Sequence, residues 1–356
     1  MLTRYILLLC ILLSGCNLSL AIEGQPPKPK KHSFCWPTSY QQKILPKKQI
    51  TAAELSPNGK TLVTVDFTGK IIIWSTKNAV KINYFETKVI SINNVVYSPA
   101  GTLLATSSGV NFHIWDINKR KLLNKFTIPN NSSISKIVWK TKNDILLTTY
   151  DKFIYKIDLD DENQTQLNFK TLVKIREEQS TGGLSDLSLS ANGEVLVSEG
   201  HCKRTKTLGS FLFALNLDNG RILFESPCLE SLALHMSLGA KGQIIAASSK
   251  SNDISLWNLT TKEKVGILST HDEKNTLLSI LFSPVSSLLV SSSGVLDGKI
   301  KWWDITTQKV VTVKNGPKHS FGGRGAIWLK FSKKQDILMT ASDKEVLLWG
   351  CPTIIE

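Results

Sequence analysis

No window of this 356-residue chain carries the sustained 3.6-residue apolar period of an amphipathic helix. Helical bundles are therefore excluded, and an all-β chain is expected. A run long enough to cross a bilayer is missing too, since the apolar stretch Tyr5 to Leu13 falls short of the roughly 20 residues a membrane helix needs. Catalytic signatures are absent: there is no His-Glu-x-x-His, no Gly-x-Ser-x-Gly, no phosphate-cradling glycine loop and no Cys-x-x-Cys. Ser133-Ile134-Ser135-Lys136 matches Ser-x-x-Lys without any companion motif, and it reads as the start of a strand. Negative charge is scarce, with 29 Asp and Glu against 43 Lys and Arg, a formal net charge of +14. Such a balance speaks to partners and solubility, not to fold.

What is present begins at the N-terminus. Met1 to Arg4 is short and positive, the apolar run follows, and Leu13-Ser14-Gly15-Cys16 closes it. These four residues resemble the lipobox of bacterial lipoproteins. The resemblance implies cleavage before Cys16 and lipidation of its thiol, with residues 1–15 as signal peptide. Residues 16–38, which carry Pro26-Pro27-Lys28-Pro29-Lys30-Lys31, read as an extended tether. Residues 39–356 are left as the folded domain. Asn17 stands where an aspartate would imply inner-membrane retention, so an outer-membrane protein facing the periplasm is expected. A protein in that compartment does not normally meet nucleic acid. Anionic lipid head groups, lipopolysaccharide, cell-wall polymer or acidic envelope proteins are the partners its charge suits. Leaving out Cys10 and Cys16, four cysteines remain, and the sequence leaves their three possible pairings open.

Beyond the tether the chain repeats itself. Ile71-Ile72-Ile73-Trp74, Phe112-His113-Ile114-Trp115, Ile254-Ser255-Leu256-Trp257, Ile300-Lys301-Trp302-Trp303 and Val346-Leu347-Leu348-Trp349 are versions of one strand. Tyr155-Lys156-Ile157 and Phe213-Ala214-Leu215 are degenerate copies. Aligned on the Trp position, the intervals are 41, 42, 58, 42, 46 and 46 residues, so there are seven units and one insertion. Leu55-Ser56-Pro57, Tyr97-Ser98-Pro99, Phe282-Ser283-Pro284 and Phe331-Ser332 end another strand of the unit. Together these motifs resemble WD40 repeats over residues 40 to 351, and the resemblance implies a seven-bladed β-propeller. The family's Gly-His dipeptide is missing, so its buried set of histidine, hydroxyl, aspartate and Trp is expected only in pieces, at Asp297 with Trp303 and Asp343 with Trp349.

The last unit offers three strands, and Tyr40 to Leu45 fits as the fourth, closing the ring. In that architecture Cys35 lies beside Cys351, and Cys202 beside Cys228, so two disulfides are expected. The connections between blades, and the turns from second to third strand, share one face and include the long segments. They carry Lys174, Arg176, Lys203, Arg204, Lys206, Lys314, Lys318 and Arg324. His201, His271 and His319 share this face on different blades and read as neutral surface residues. No metal or other cofactor is expected. The expected role is that of a monomeric, non-enzymatic scaffold that binds envelope proteins, some acidic, through the basic face. The alternative is a lactonase-like propeller hydrolase or a ligand sensor using the central channel. A metal there would need several inward carboxylates, and the innermost strands offer few.

Overall fold

The computed structural model describes residues 40–350 apart from 130, 160–166, 175–182, 185, 204–207, 230–232, 250–252, 270–275, 295–296, 321–324 and 334–336. Its 28 strands form seven four-stranded sheets, each antiparallel and each hydrogen-bonded in chain order except the last. Blade 1 consists of Ile50–Leu55, Thr61–Asp66, Lys70–Ser75 and Lys81–Glu86. The first strands of the other blades are Asn94–Tyr97, Ile134–Trp139, Leu187–Leu189, Ala233–Leu238, Leu277–Phe282 and Trp328–Phe331. Each first strand touches the next, and Trp328–Phe331 touches Ile50–Leu55, so the ring is closed.

Closure uses the chain's beginning. Gln42–Ile44 is the outer strand of blade 7 and pairs antiparallel with Val346–Gly350, with Gln42 opposite Leu348 and Ile44 opposite Val346. A propeller closed this way has no open seam, because the most distant parts of the sequence share one sheet. Cys35 and Cys351, Cys16 and the tether all lie outside the described residues.

The blades stand because each buries both faces against its neighbours. Seven apolar clusters fill the seven blade interfaces; Val63, Ile71, Ile73 and Phe85 of blade 1, for instance, meet Val95, Leu104 and Trp115 of blade 2. Each such side chain contributes about 1.5–3 kcal/mol relative to leaving it in water. The second and third strands are apolar on both faces for this reason, while the fourth strands lie at the rim and are largely exposed, apolar residues such as Ile82, Ile267 and Val311 included. The Ser-Pro-Asn-Gly turn after Leu55 shows the local logic. The Ser56 hydroxyl accepts from the Thr61 N–H at 3.0 Å, and Gly59 supplies the left-handed φ of +70°.

The repeating tryptophan is tied down by its neighbour strand. The indole N–H of Trp74, Trp115, Trp303 and Trp349 donates at 2.9 Å to Thr64, Thr106, Ser291 and Thr340, respectively. Blade 5 has Ala247 at the equivalent place, and the buried Trp257 indole N–H there has no partner.

Blade 4 departs from the pattern. Its second and third strands, Val195–Lys203 and Leu208–Asn216, each run nine residues where blade 1 uses six. Glu199 to Lys203 and Leu208 to Gly209, expected in a loop, therefore belong to these strands, which continue as a hairpin arm. Cys202 sits within the arm's first strand and is disulfide-bonded to Cys228, which follows the blade's fourth strand, Ile222–Glu225. The bond spans 26 residues and fastens the arm to the segment leading into blade 5.

Candidate functional site

One face of the ring collects the second-to-third turns and the blade-to-blade connections. On it, the turn Ser342-Asp343-Lys344-Glu345 in blade 7 joins several elements. The Asp343 carboxylate accepts from the Ser320 N–H and from the Gln49 amide, each at 3.2 Å, and meets His319 Nδ1 at 3.1 Å. Its backbone carbonyl accepts from the Ile50 N–H at 2.7 Å. Glu345, fully buried, accepts from the Lys318 N–H at 2.6 Å and pairs with Lys43 of the closing strand at 2.5 Å. Blades 6, 7 and 1 and the closing strand are thus joined through two carboxylates.

His319 is not the surface residue its loop position suggests. Its side chain is 9% exposed and turned onto Asp343, so blade 7 keeps the aspartate–histidine half of the family's buried set as well as the Trp349–Thr340 half. A lysine, Lys318, precedes it where the family has glycine. Blade 6 keeps Asp297, bonded to Ser293 at 2.7 Å, beside its Trp303–Ser291 pair. His201 lies in the blade 4 arm with its pKa lowered by burial, and His271 is outside the described residues. No group of three potential metal ligands occurs among the described residues.

Beside this point lies a group of exposed apolar side chains. Phe67, in the second-to-third turn of blade 1, is 53% exposed, and Ile90, in the connection to blade 2, is 70% exposed. The segment around Ile90 is held firmly. Thr87 donates its hydroxyl to Gly69 O at 2.7 Å, Ser91 N–H donates to Phe67 O at 3.4 Å, and Ser108 donates its hydroxyl to Ile90 O at 2.7 Å. Gly69 has φ +80°, and a Cβ there would sit 1.9 Å from Val89 O, so the two turns pack backbone to backbone. Lys88 and Ser91, at φ +58° and +55°, bracket Ile90 in left-handed backbone. Tyr150, exposed in the matching turn of blade 3, belongs to the same face.

Charge on this sector is arranged unequally. Lys47, Lys48, Lys88, Lys318 and Lys344 are exposed, with Lys48 Nζ 5.6 Å from the Phe67 ring centre. The nearby carboxylates Asp66, Asp343 and Glu345 are buried and spent on internal bonds. Of the basic residues expected from sequence, Lys318 is exposed here and Lys314 is half-buried at the end of a rim strand. Lys174 and Lys203 end strands, while Arg176, Arg204, Lys206 and Arg324 lie outside the described residues. Charge does not mark this face alone, because Lys60, Lys77, Lys119 and Lys262 are exposed on the opposite one. Sequence reasoning passed over Phe67, Ile90 and Tyr150. Their signal is an apolar side chain in a turn that the repeat assigns to solvent.

The innermost strands line a central cavity of about 460 Å³. Its charges are paired across neighbouring blades: Glu54 with Lys330 at 2.6 Å, and Lys136 with Asp186 at 3.1 Å. Asp186 also accepts from the N–H of Leu187 at 2.9 Å and of Met236, in blade 5, at 3.0 Å. Asp186 raises the Lys136 pKa, while burial raises that of Glu54 and lowers that of His235. Ser188 and Ser237 hydroxyls accept from the N–H of Leu238 and Phe282 in the following blades. These polar groups stitch the inner strands together, and Glu54 and Asp186 are each paired with a lysine.

Comparison with known proteins places the repeat. The family described as WD domain, G-beta repeat matches residues 262–304, from the fourth strand of blade 5 through the third strand of blade 6. The chain is also similar to periodic tryptophan protein 2 of Arabidopsis thaliana, 23% identical over 258 residues, which are 72% of this chain and 27% of that protein. The chain thus spans about a quarter of that relative's length. With one repeat matched, six more in phase with it and the ring closed by its own N-terminal strand, the chain is a WD40-type seven-bladed β-propeller.

Proposed function

We propose that this propeller is a lipid-anchored, non-enzymatic scaffold of the bacterial envelope, binding other envelope proteins through its loop-rich basic face. The observation that carries the reading is the set of exposed apolar residues, Phe67, Ile90 and Tyr150, standing on short fixed turns among lysines. Apolar anchors on a rigid frame with a charged surround are what protein interfaces use for most of their binding energy. The paired charges of the channel support a structural use of that space in preference to hydrolysis. Propellers of this type serve mainly as interaction platforms, although fold alone does not assign a role.

The anchor is Cys16, and an outer-membrane site facing the periplasm follows from Asn17. Cells fed labelled palmitate test this half of the proposal. The wild-type chain is expected to take up label and sediment with membranes, and Cys16→Ala to remain an unlabelled precursor. Label retained by Cys16→Ala would exclude the lipobox. The same membranes test the face: changing Lys203, Arg204 and Lys206 to Glu should weaken capture of the partner, and changing Lys119 and Lys121 should not. The loss should shrink at high salt, because exposed charges are screened beyond about 8 Å at physiological ionic strength. Equal loss from both variants would assign the effect to net charge.

A further inference from the structure

We infer that Phe67 and Ile90 form the seat for an apolar side chain of an acidic partner segment, with Lys48 and Lys88 holding the acidic residues beside it. This rests on the scaffold reading and narrows it to one sector and one partner chemistry.

Three observations point the same way. First, the two apolar side chains are exposed by construction. The connection of residues 87–91 is bonded at both ends and in the middle, and it places two non-glycine residues in left-handed backbone around Ile90. A connection free to relax would turn Ile90 inward, as it does Ile92, which is fully buried two residues on. Strained backbone held by its surroundings is characteristic of binding positions. Second, the seat is preorganised, because the Gly69–Val89 backbone approach fixes the two turns to each other. Little conformational freedom is left to lose on binding. Third, the charges are one-sided. Asp66, Asp343 and Glu345 point inward, leaving Lys47, Lys48, Lys88 and Lys344 as exposed cations, against Glu86 at the rim. A basic segment would be repelled here, and an uncharged one would leave the lysines without partners.

Anionic lipid would satisfy the same cations. A protein segment is favoured because Phe67 and Ile90, with Leu45 before Lys47 and Lys48, are few exposed apolar side chains, which suits a single inserted residue better than an acyl surface.

The test uses the full chain in phosphatidylcholine nanodiscs and a displayed library of random peptides. Selection should enrich peptides with Asp or Glu flanking one Leu, Ile or Phe. Binding of the enriched peptides should fall about tenfold or more in Phe67→Ser and in Ile90→Ser, the scale of loss at an interface anchor. It should also fall in the double variant Lys48→Glu, Lys88→Glu. Circular dichroism of each variant should match wild type, as both apolar side chains are exposed. Enrichment of basic or uncharged sequences, failure to enrich any, or indifference to the Phe67 and Ile90 variants would overturn the inference. So would binding of phosphatidylglycerol vesicles that is lost in the same variants while peptide binding is not. If peptides lose affinity only when Lys203, Arg204 and Lys206 are reversed, the scaffold reading stands and this seat does not.

Discussion

Asp343→Ala is expected to lower the unfolding free energy by about 3 kcal/mol, the loss typical of removing one partner from a buried, hydrogen-bonded charge network. The carboxylate is almost fully buried and satisfies His319, the Ser320 N–H and the Gln49 amide. Alanine leaves the largely buried imidazole without its acceptor. It also loosens both the blade 6–7 connection and the start of blade 1. The Ile50 N–H keeps its bond to the Asp343 carbonyl, so the ring should weaken at this corner without losing its topology. Asp343→Asn retains one acceptor and is expected to lose about half as much. Urea titration followed by tryptophan fluorescence gives the comparison, since Trp349 stands in the same sheet. A shift below about 0.5 kcal/mol, the usual scale for surface changes, would show that the network does not support closure.

The double variant Cys202→Ala, Cys228→Ala should cost about 3.5 kcal/mol, the chain-entropy value for opening a loop of this length. The separation of the two cysteines is 26 residues. The effect should be local as well as global. The arm beyond Glu199 extends past the blade and is held at its far part by the strand pairing and by this bond. Hydrogen exchange should therefore accelerate most in Gly200 to Gly209 and in the segment after Glu225, and least in blades 1, 2 and 7. Uniform acceleration, or none, would mean that the bond is incidental to the arm's position. Reduction of the wild-type chain should reproduce the variant.

The architecture was legible because the repeat is written in residue types that physics constrains. A blade needs two inner strands apolar on both faces, a large side chain such as Trp74 or Trp303 at the interface, and a Ser-closed turn such as Ser56 to Gly59. All three recur at nearly constant spacing, so even the degenerate strands at Ile157 and Leu215 fell into phase. Closure followed from a missing fourth strand at one end and a spare one at the other. The Cys202–Cys228 pairing followed once the blade was placed.

The site was less legible. Loop length drew attention to the 58-residue interval. There, Ser198 to Gly200 continue the strand opposite Phe213, Leu212 and Phe211, and His201 to Lys203 stay paired with Ser210, Gly209 and Leu208. The short turns were passed over, although they fix exposed apolar residues more firmly than long loops can. His319 reads as surface by position, and it takes the distant Asp343 to bury it. Surface charge was the weakest guide. Lysines occupy both faces, and the one-sidedness near Phe67 arises from which carboxylates turn inward, which depends on tertiary contacts alone.

The measurement that bears most directly on the scaffold claim is position-resolved photo-cross-linking in intact cells. A benzophenone amino acid would replace, one at a time, Ile90, Lys318 and Lys344 on the loop-rich face and Lys60, Lys119 and Lys262 on the opposite face. Discrete adducts with an envelope protein are expected from the first three positions, at the same mass for each, and none from the other three. Adducts of equal intensity from both faces, or from the opposite face alone, would contradict the account.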